Sequence, residues 1–153
     1  MDGTLTLHSD YFGTLEYADS GLFHFSNGIP GFECERHFAP VEIPAQRPLV
    51  YLQSINRPDL CLITLPVRTI CPEFELDLQP EDIALLGFPP RAALRIGEDV
   101  LCLAIVSVDA SRDPVANLLA PLVVNVRTHE AVQAIQADSA WTCEHPLPGP
   151  GGC

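Results

Sequence analysis

Residues 49–65 read LVYLQSINRPDLCLITL, and the fold class turns on this stretch. LVYLQSI (49–55) and LCLITL (60–65) are apolar runs of strand length rich in β-branched and aromatic residues. Asn56-Arg57-Pro58-Asp59 separates them with turn formers. Strand, turn and strand within 17 residues leave no room for a helical period. The same grammar recurs along the chain: YFGTLEY (11–17), GLFHFS (21–26), FAPVEI (38–43), EFELDL (73–78), VLCLAIVSV (100–108) and LVVNV (122–126) each read as a strand. Asn27-Gly28, Pro89-Pro90 and Asp113-Pro114 punctuate them. One short helix is expected at PEDIALLG (80–87), where Pro80 suits a first turn, Glu81 and Asp82 complement the positive end of the dipole, and Gly87 closes it. Many short strands with one or two short helices predict a mainly β, single-domain, antiparallel barrel-like fold, because closure removes exposed sheet edges.

At 153 residues the chain is long enough to bury a core without disulfide or metal staples. Apolar residues make up 47% and charged residues 18%, the balance of a folded chain. Twenty acids face eight bases, all arginine, for a formal net charge of −12. A surface of that sign repels phosphate backbones and anionic lipid and steers a basic protein toward it. The N-terminal MDGTLTLHSD has neither the basic residue nor the apolar run of a secretory signal, and VLCLAIVSV falls short of the roughly 18 residues of a membrane span. A cytoplasmic protein is therefore expected, with no nucleic acid or membrane as direct partner.

Few residues offer chemistry. Cys34, Cys61, Cys71, Cys102, Cys143 and Cys153 form no C-x-x-C pair, and free thiols are expected. Cys34 with His37 and Cys143 with His145 could together make a four-ligand zinc site, although neither pair has the usual ligand spacing. No phosphate-cradling loop, G-x-S-x-G elbow or H-E-x-x-H motif is present, so no catalytic residue, cofactor or metal is assigned. The most informative polar pattern is CPEFELDL (71–78). As a strand it would set Glu73, Glu75 and Asp77 on one face and Phe74, Leu76 and Leu78 on the other, a docking patch for a basic protein or a solvated outer face.

Four stretches in order resemble the flagellar assembly factor FliW family. FSNGIPGFE (25–33) is similar to its F-P-x-G-I-P-G-F-E signature, LQSINRPDL (52–60) to its L-Q-S followed by P-D-L, CPEFELDL to its P-D-Y-E-F-E-L region, and VANLLAPLVVNV (115–126) to its T-A-N-L-x-A-P-I-x-I-N stretch. NVRTHEAVQAIQAD (125–138) keeps the spacing to Gln133 and Asp138. Val115, Ala131 and Gln136 depart from the family pattern, which usually has threonine, glycine and an apolar residue there. The resemblance covers about residues 11–138. It implies a non-enzymatic, cytoplasmic β-barrel-like regulator that binds flagellin and, when free, binds the carbon storage regulator CsrA, relieving repression of flagellin synthesis non-competitively, the two partners excluding each other.

On this reading residues 1–10 are an N-terminal extension, 11–144 the barrel domain and 145–153 a disordered Pro/Gly-rich tail. Gly28, Gly31, Asn117 and Pro121 are expected to shape the backbone, with Pro30, Pro58, Asp59, Ala120 and Asn125 as further motif positions. Phe25, Ile29, Phe32, Leu52 and Leu118 are expected in the core. Gln53 and Ser54 fit surface contacts to a partner or internal hydrogen-bond partners equally well. Glu73, Glu75 and Asp77 are the expected partner contacts. On the residues alone a metal-dependent enzyme and a structural assembly subunit stay open as alternatives.

Overall fold

The computed structural model describes residues 4–137 and 141–147. Along them run β1 (Thr4–Ser9), β2 (Gly13–Ala18), β3 (Phe23–Phe25), β4 (His37–Val41), β5 (Val50–Ser54), β6 (Cys61–Pro66), α1 (Val67–Ile70), α2 (Pro80–Leu85), β7 (Val100–Asp109), β8 (Arg112–Ala116), β9 (Leu122–Asn125), β10 (Glu130–Gln133) and β11 (His145–Pro146). The order β7-β6-β5-β4-β3-β10-β9 returns to β7 through a β7–β9 pairing, so seven strands close into a barrel. Each pairing around that ring is antiparallel except β3 with β10, which is parallel.

The barrel has apolar residues on both faces. Phe25, Phe38, Leu52, Leu103, Leu122 and Val124 fill the interior. Alternate residues on the same strands, Cys102, Ala104, Val106 and Val123, point outward beneath a second cluster that includes Val67, Ile70, Phe74 and Leu86. This two-sided burial explains why VLCLAIV reads as a continuous apolar run and not as an alternation. A third, smaller cluster joins Leu7, Leu22 and Ala39 where the β1–β2 hairpin covers another part of the wall.

The helix expected at 80–87 forms, with Pro80 in its first turn. Its end is a Schellman turn: Gly87 N–H donates to Ala84 O (3.0 Å) and Phe88 N–H to Ile83 O (3.1 Å), with Gly87 at φ +84°.

Four expectations are corrected. EFELDL is not a strand but irregular chain between α1 and α2. It lies in the layer over the barrel, and its backbone bonds run to a side chain, Gln136, instead of to a strand edge. The domain begins earlier than Tyr11: Thr4–Ser9 pairs along its whole length with β2 and buries Leu7 and Ser9. His145 and Pro146, expected in the tail, instead pair with Ala116 and Val115 and cover an edge of β8 that would otherwise be bare. Residues 148–153, including Cys153, and Asp138 lie outside the described residues. Pro114, read as turn punctuation, is tolerated within β8 because the register with β7 shifts at that point.

Candidate protein-binding surface

FSNGIPGFE is a chain of tight turns. Gly28 N–H donates to Phe25 O (2.9 Å), Phe32 N–H to Ile29 O (2.6 Å) and Glu35 N–H to Phe32 O (2.9 Å). In the middle turn Pro30 takes the first central position and Gly31, at φ +91°, the second, the requirement of a type II turn. Gly28 is needed for a further reason. At φ +68° a Cβ there would stand 2.5–2.8 Å from the backbone of Glu33. Phe25 and Ile29 anchor the segment in the barrel interior and Phe32 packs half-buried against them. Pro30 is exposed.

Gln53 and Ser54 resolve to the internal reading, so their assignment as partner contacts is corrected. Gln53 is fully buried and its amide bridges two regions. Oε1 accepts from Ser9 Oγ (2.7 Å) in β1, while Nε2 donates toward the carbonyls of Ser54, Arg57 and Leu60 (3.0–3.1 Å) around the 56–59 turn. Ser54 Oγ donates to Glu35 (2.9 Å) and accepts from the Asn56 and Arg57 amides (3.2 and 3.1 Å). Pro58 and Asp59 form the exposed tip of that turn. Arg57 grips Asp59 at 2.8 Å and holds its carboxyl below the ordinary range, and the Asp59 carbonyl accepts from the Tyr11 hydroxyl (2.8 Å).

The other polar motif residues work the same way. Asn117 Oδ1 caps the Ala120 amide (2.9 Å), Leu118 is fully buried, and Ala120 O accepts from Gln133 (3.0 Å). Pro121 is buried beside them, its carbonyl bonded to Ala134 N (2.9 Å). Asn125, buried between the barrel and α2, donates to Leu86 O (2.9 Å) and accepts from Arg127 N (2.9 Å).

Glu73, Glu75 and Asp77 are exposed, while Phe74 between them is fully buried and Leu76 and Leu78 are half-buried. The alternation expected of a strand thus survives in irregular chain, because that chain is extended and lies flat on an apolar layer. Gln136, a departure from the family pattern, positions the strip. Its Oε1 accepts from Asp77 N (2.7 Å) and its Nε2 donates to Asp77 O (3.0 Å).

Beside the strip the structure brings together residues that sequence analysis did not single out. An apolar cleft of about 380 Å³ is lined by Phe23, Val50, Val67, Ile96, Leu101 and Leu103, with Arg68 and Glu42 also in its wall. These come from four separate parts of the chain, so no local spacing signals the cleft. Cys34 and Cys143 are exposed thiols, whereas burial raises the Cys61 thiol to about 11 and the Cys102 thiol to about 12. Among the described residues no group of three His, Cys, Asp or Glu side chains could hold a metal ion, so the two Cys/His pairs of the zinc alternative do not meet.

A seven-stranded closed barrel, wrapped by an outer loop layer and pinned by buried amide side chains, defines a small mainly β domain. The chain belongs to the FliW family: the sequence model of the FliW protein matches residues 6–147. It is 31% identical over 140 residues to the flagellar assembly factor FliW of Syntrophomonas wolfei, covering 91% of this chain and 86% of that protein. With the FliW of Bacillus subtilis it shares 29% over 146 residues, covering 95% and 98%. A crystal structure of a flagellar assembly factor FliW superposes with a TM-score of 0.80 at 28% identity, covering 95% of this chain and 98% of that one.

Proposed function

We propose that this protein is a non-catalytic, cytoplasmic flagellar assembly factor that holds flagellin before export and, when released, binds the translational regulator CsrA and lifts its repression of flagellin synthesis. The observation that carries the reading is the family membership over nearly the whole chain, joined to an exposed acidic strip on a protein of net charge −12. Such a strip attracts a basic RNA-binding protein and disfavours RNA from a neighbouring surface without occupying the RNA site. Glu73, Glu75 and Asp77 are the residues proposed to face that regulator.

The test is a binding experiment with purified flagellin and CsrA, using the unmodified protein and a Glu73→Ala, Glu75→Ala, Asp77→Ala triple variant. Retention of both partners by the unmodified protein, with loss of CsrA alone in the variant, is the expected result. Retention of neither by the unmodified protein would overturn the functional reading. Equal CsrA binding by both forms would overturn the assignment of the strip.

A further inference from the structure

The chain has one tryptophan, and it packs against the residue that seats the acidic strip. The ring of Trp141 stands 4.7 Å from that of Phe74, centroid to centroid, and is tilted by 42° to it. That spacing lies in the range where an aromatic pair contributes beyond the area it buries. Phe74 is fully buried between exposed Glu73 and exposed Glu75, so a displacement of its ring carries both acids with it. Its amide donates to Cys71 O (3.0 Å), while the amide of Asp77 donates to Gln136 Oε1 (2.7 Å). A segment of irregular chain held by so few bonds depends on what packs against it.

Gln136 and Trp141 both follow β10, and both are hung on the same two residues. Gln136 N–H donates to Leu119 O (2.7 Å), and the carbonyl of Thr142, the neighbour of Trp141, accepts from the Leu118 and Leu119 amides (3.0 and 3.2 Å). That mount is rigid: Leu118 is fully buried, and Asn117 Oδ1 fastens the turn at Ala120. Past Thr142 the chain is tied down by the pairing of His145 and Pro146 with β8 and by Leu147, which packs on the same apolar cluster as Trp141. The Arg112–Glu144 pair (3.3 Å) is exposed and adds little.

We propose that Trp141 is a positioning residue for the acidic strip: with Gln136 it holds Glu73, Glu75 and Asp77 from two points mounted on Leu118 and Leu119, so the order of the strip and the surroundings of Trp141 change together. This rests on the functional reading above for what the strip binds, and adds what keeps it ready. A strip already fixed in one arrangement loses less freedom when a partner closes over it. Loosening it lowers the fraction of molecules competent to bind, and weakens binding without touching an acid.

Hydrogen exchange and tryptophan fluorescence test the coupling with no partner present. Trp141→Ala is expected to raise exchange at the Phe74 and Asp77 amides about tenfold or more with β5 and β6 unchanged, and Trp141→Phe to stay within about threefold of the unmodified protein. Gln136→Ala, which leaves Trp141 itself intact, is expected to move Trp141 emission to longer wavelength and to increase its quenching by acrylamide. In CsrA binding, Trp141→Ala is expected to lose about fivefold in affinity and Trp141→Phe less than about twofold. Unchanged exchange at Phe74 and Asp77 in Trp141→Ala overturns the proposal. So does a rise shared by β5 and β6, which would make Trp141 a core residue, or an emission blind to Gln136→Ala. A loosened strip with undiminished CsrA binding overturns its bearing on recognition. If the unmodified protein binds no CsrA, the functional reading falls, and exchange and fluorescence still decide the coupling.

Discussion

Gly28 and Gly31 are both glycines at positive φ in consecutive turns, yet the structure gives them different weights. At Gly31 nothing stands within 4 Å of an added Cβ, so Gly31→Ala costs only the strained backbone, about 1 kcal/mol. At Gly28 the same strain is joined by a collision with the Glu33 backbone, and Gly28→Ala is expected to cost about 3 kcal/mol or more, read as the difference in urea unfolding. Equal losses at the two sites would refute the distinction. Gln53 makes a related point for polar groups. Gln53→Ala leaves Ser9 Oγ and several turn carbonyls without their buried partner and is expected to cost about 2–4 kcal/mol, against about 1 for Ser9→Ala. Thiol reactivity follows burial. Cys34 and Cys143 should be alkylated within the native protein at mildly alkaline pH, while Cys102, with its thiol held at about 12, should react only after unfolding. Peptide mapping by mass spectrometry assigns each site, and early labelling of Cys102 would mean that the outer layer opens readily.

Elements here are held less by their own propensity than by what covers them. α1 and α2 are four and six residues long, too short to persist alone, and both owe their order to the apolar cluster on the barrel wall. The acidic segment between them has no strand partner at all. It is fixed by Phe74 below and by the two bonds from Gln136. Gln136→Ala should therefore release the strip while sparing the barrel: hydrogen exchange at the Asp77 amide is expected to rise by one to two orders of magnitude, with the amides of β5 and β6 unchanged. A global rise in exchange would instead make Gln136 part of the core. This arrangement was half legible in the sequence. The alternation of acids with Phe74, Leu76 and Leu78 marks two faces, but it also reads as a strand, because period two reports an extended chain on an apolar surface whether or not another strand lies beside it.

For the whole molecule the net charge of −12 makes a prediction about association: if the acidic strip docks the basic regulator proposed above, that binding should weaken as salt rises from about 50 to 500 mM. Isothermal titration across that salt series checks it, and an affinity indifferent to salt would remove the charge argument for the strip. The sequence by itself determined the β class, the turns at 27–28 and 56–59, the helix at 80–87, the core anchors Phe25, Ile29, Leu52 and Leu118, and the family, because each is written in local spacing or in ordered motifs. The tertiary structure alone decided that seven strands close with one parallel seam, that the first nine residues include a strand, that Gln53 and Ser54 face inward, and that Arg68, Leu101 and Glu42 meet at one cleft. Those facts depend on which strands become neighbours, and pairing between distant segments is set by the summed burial of both barrel faces, a quantity no single stretch of the chain contains.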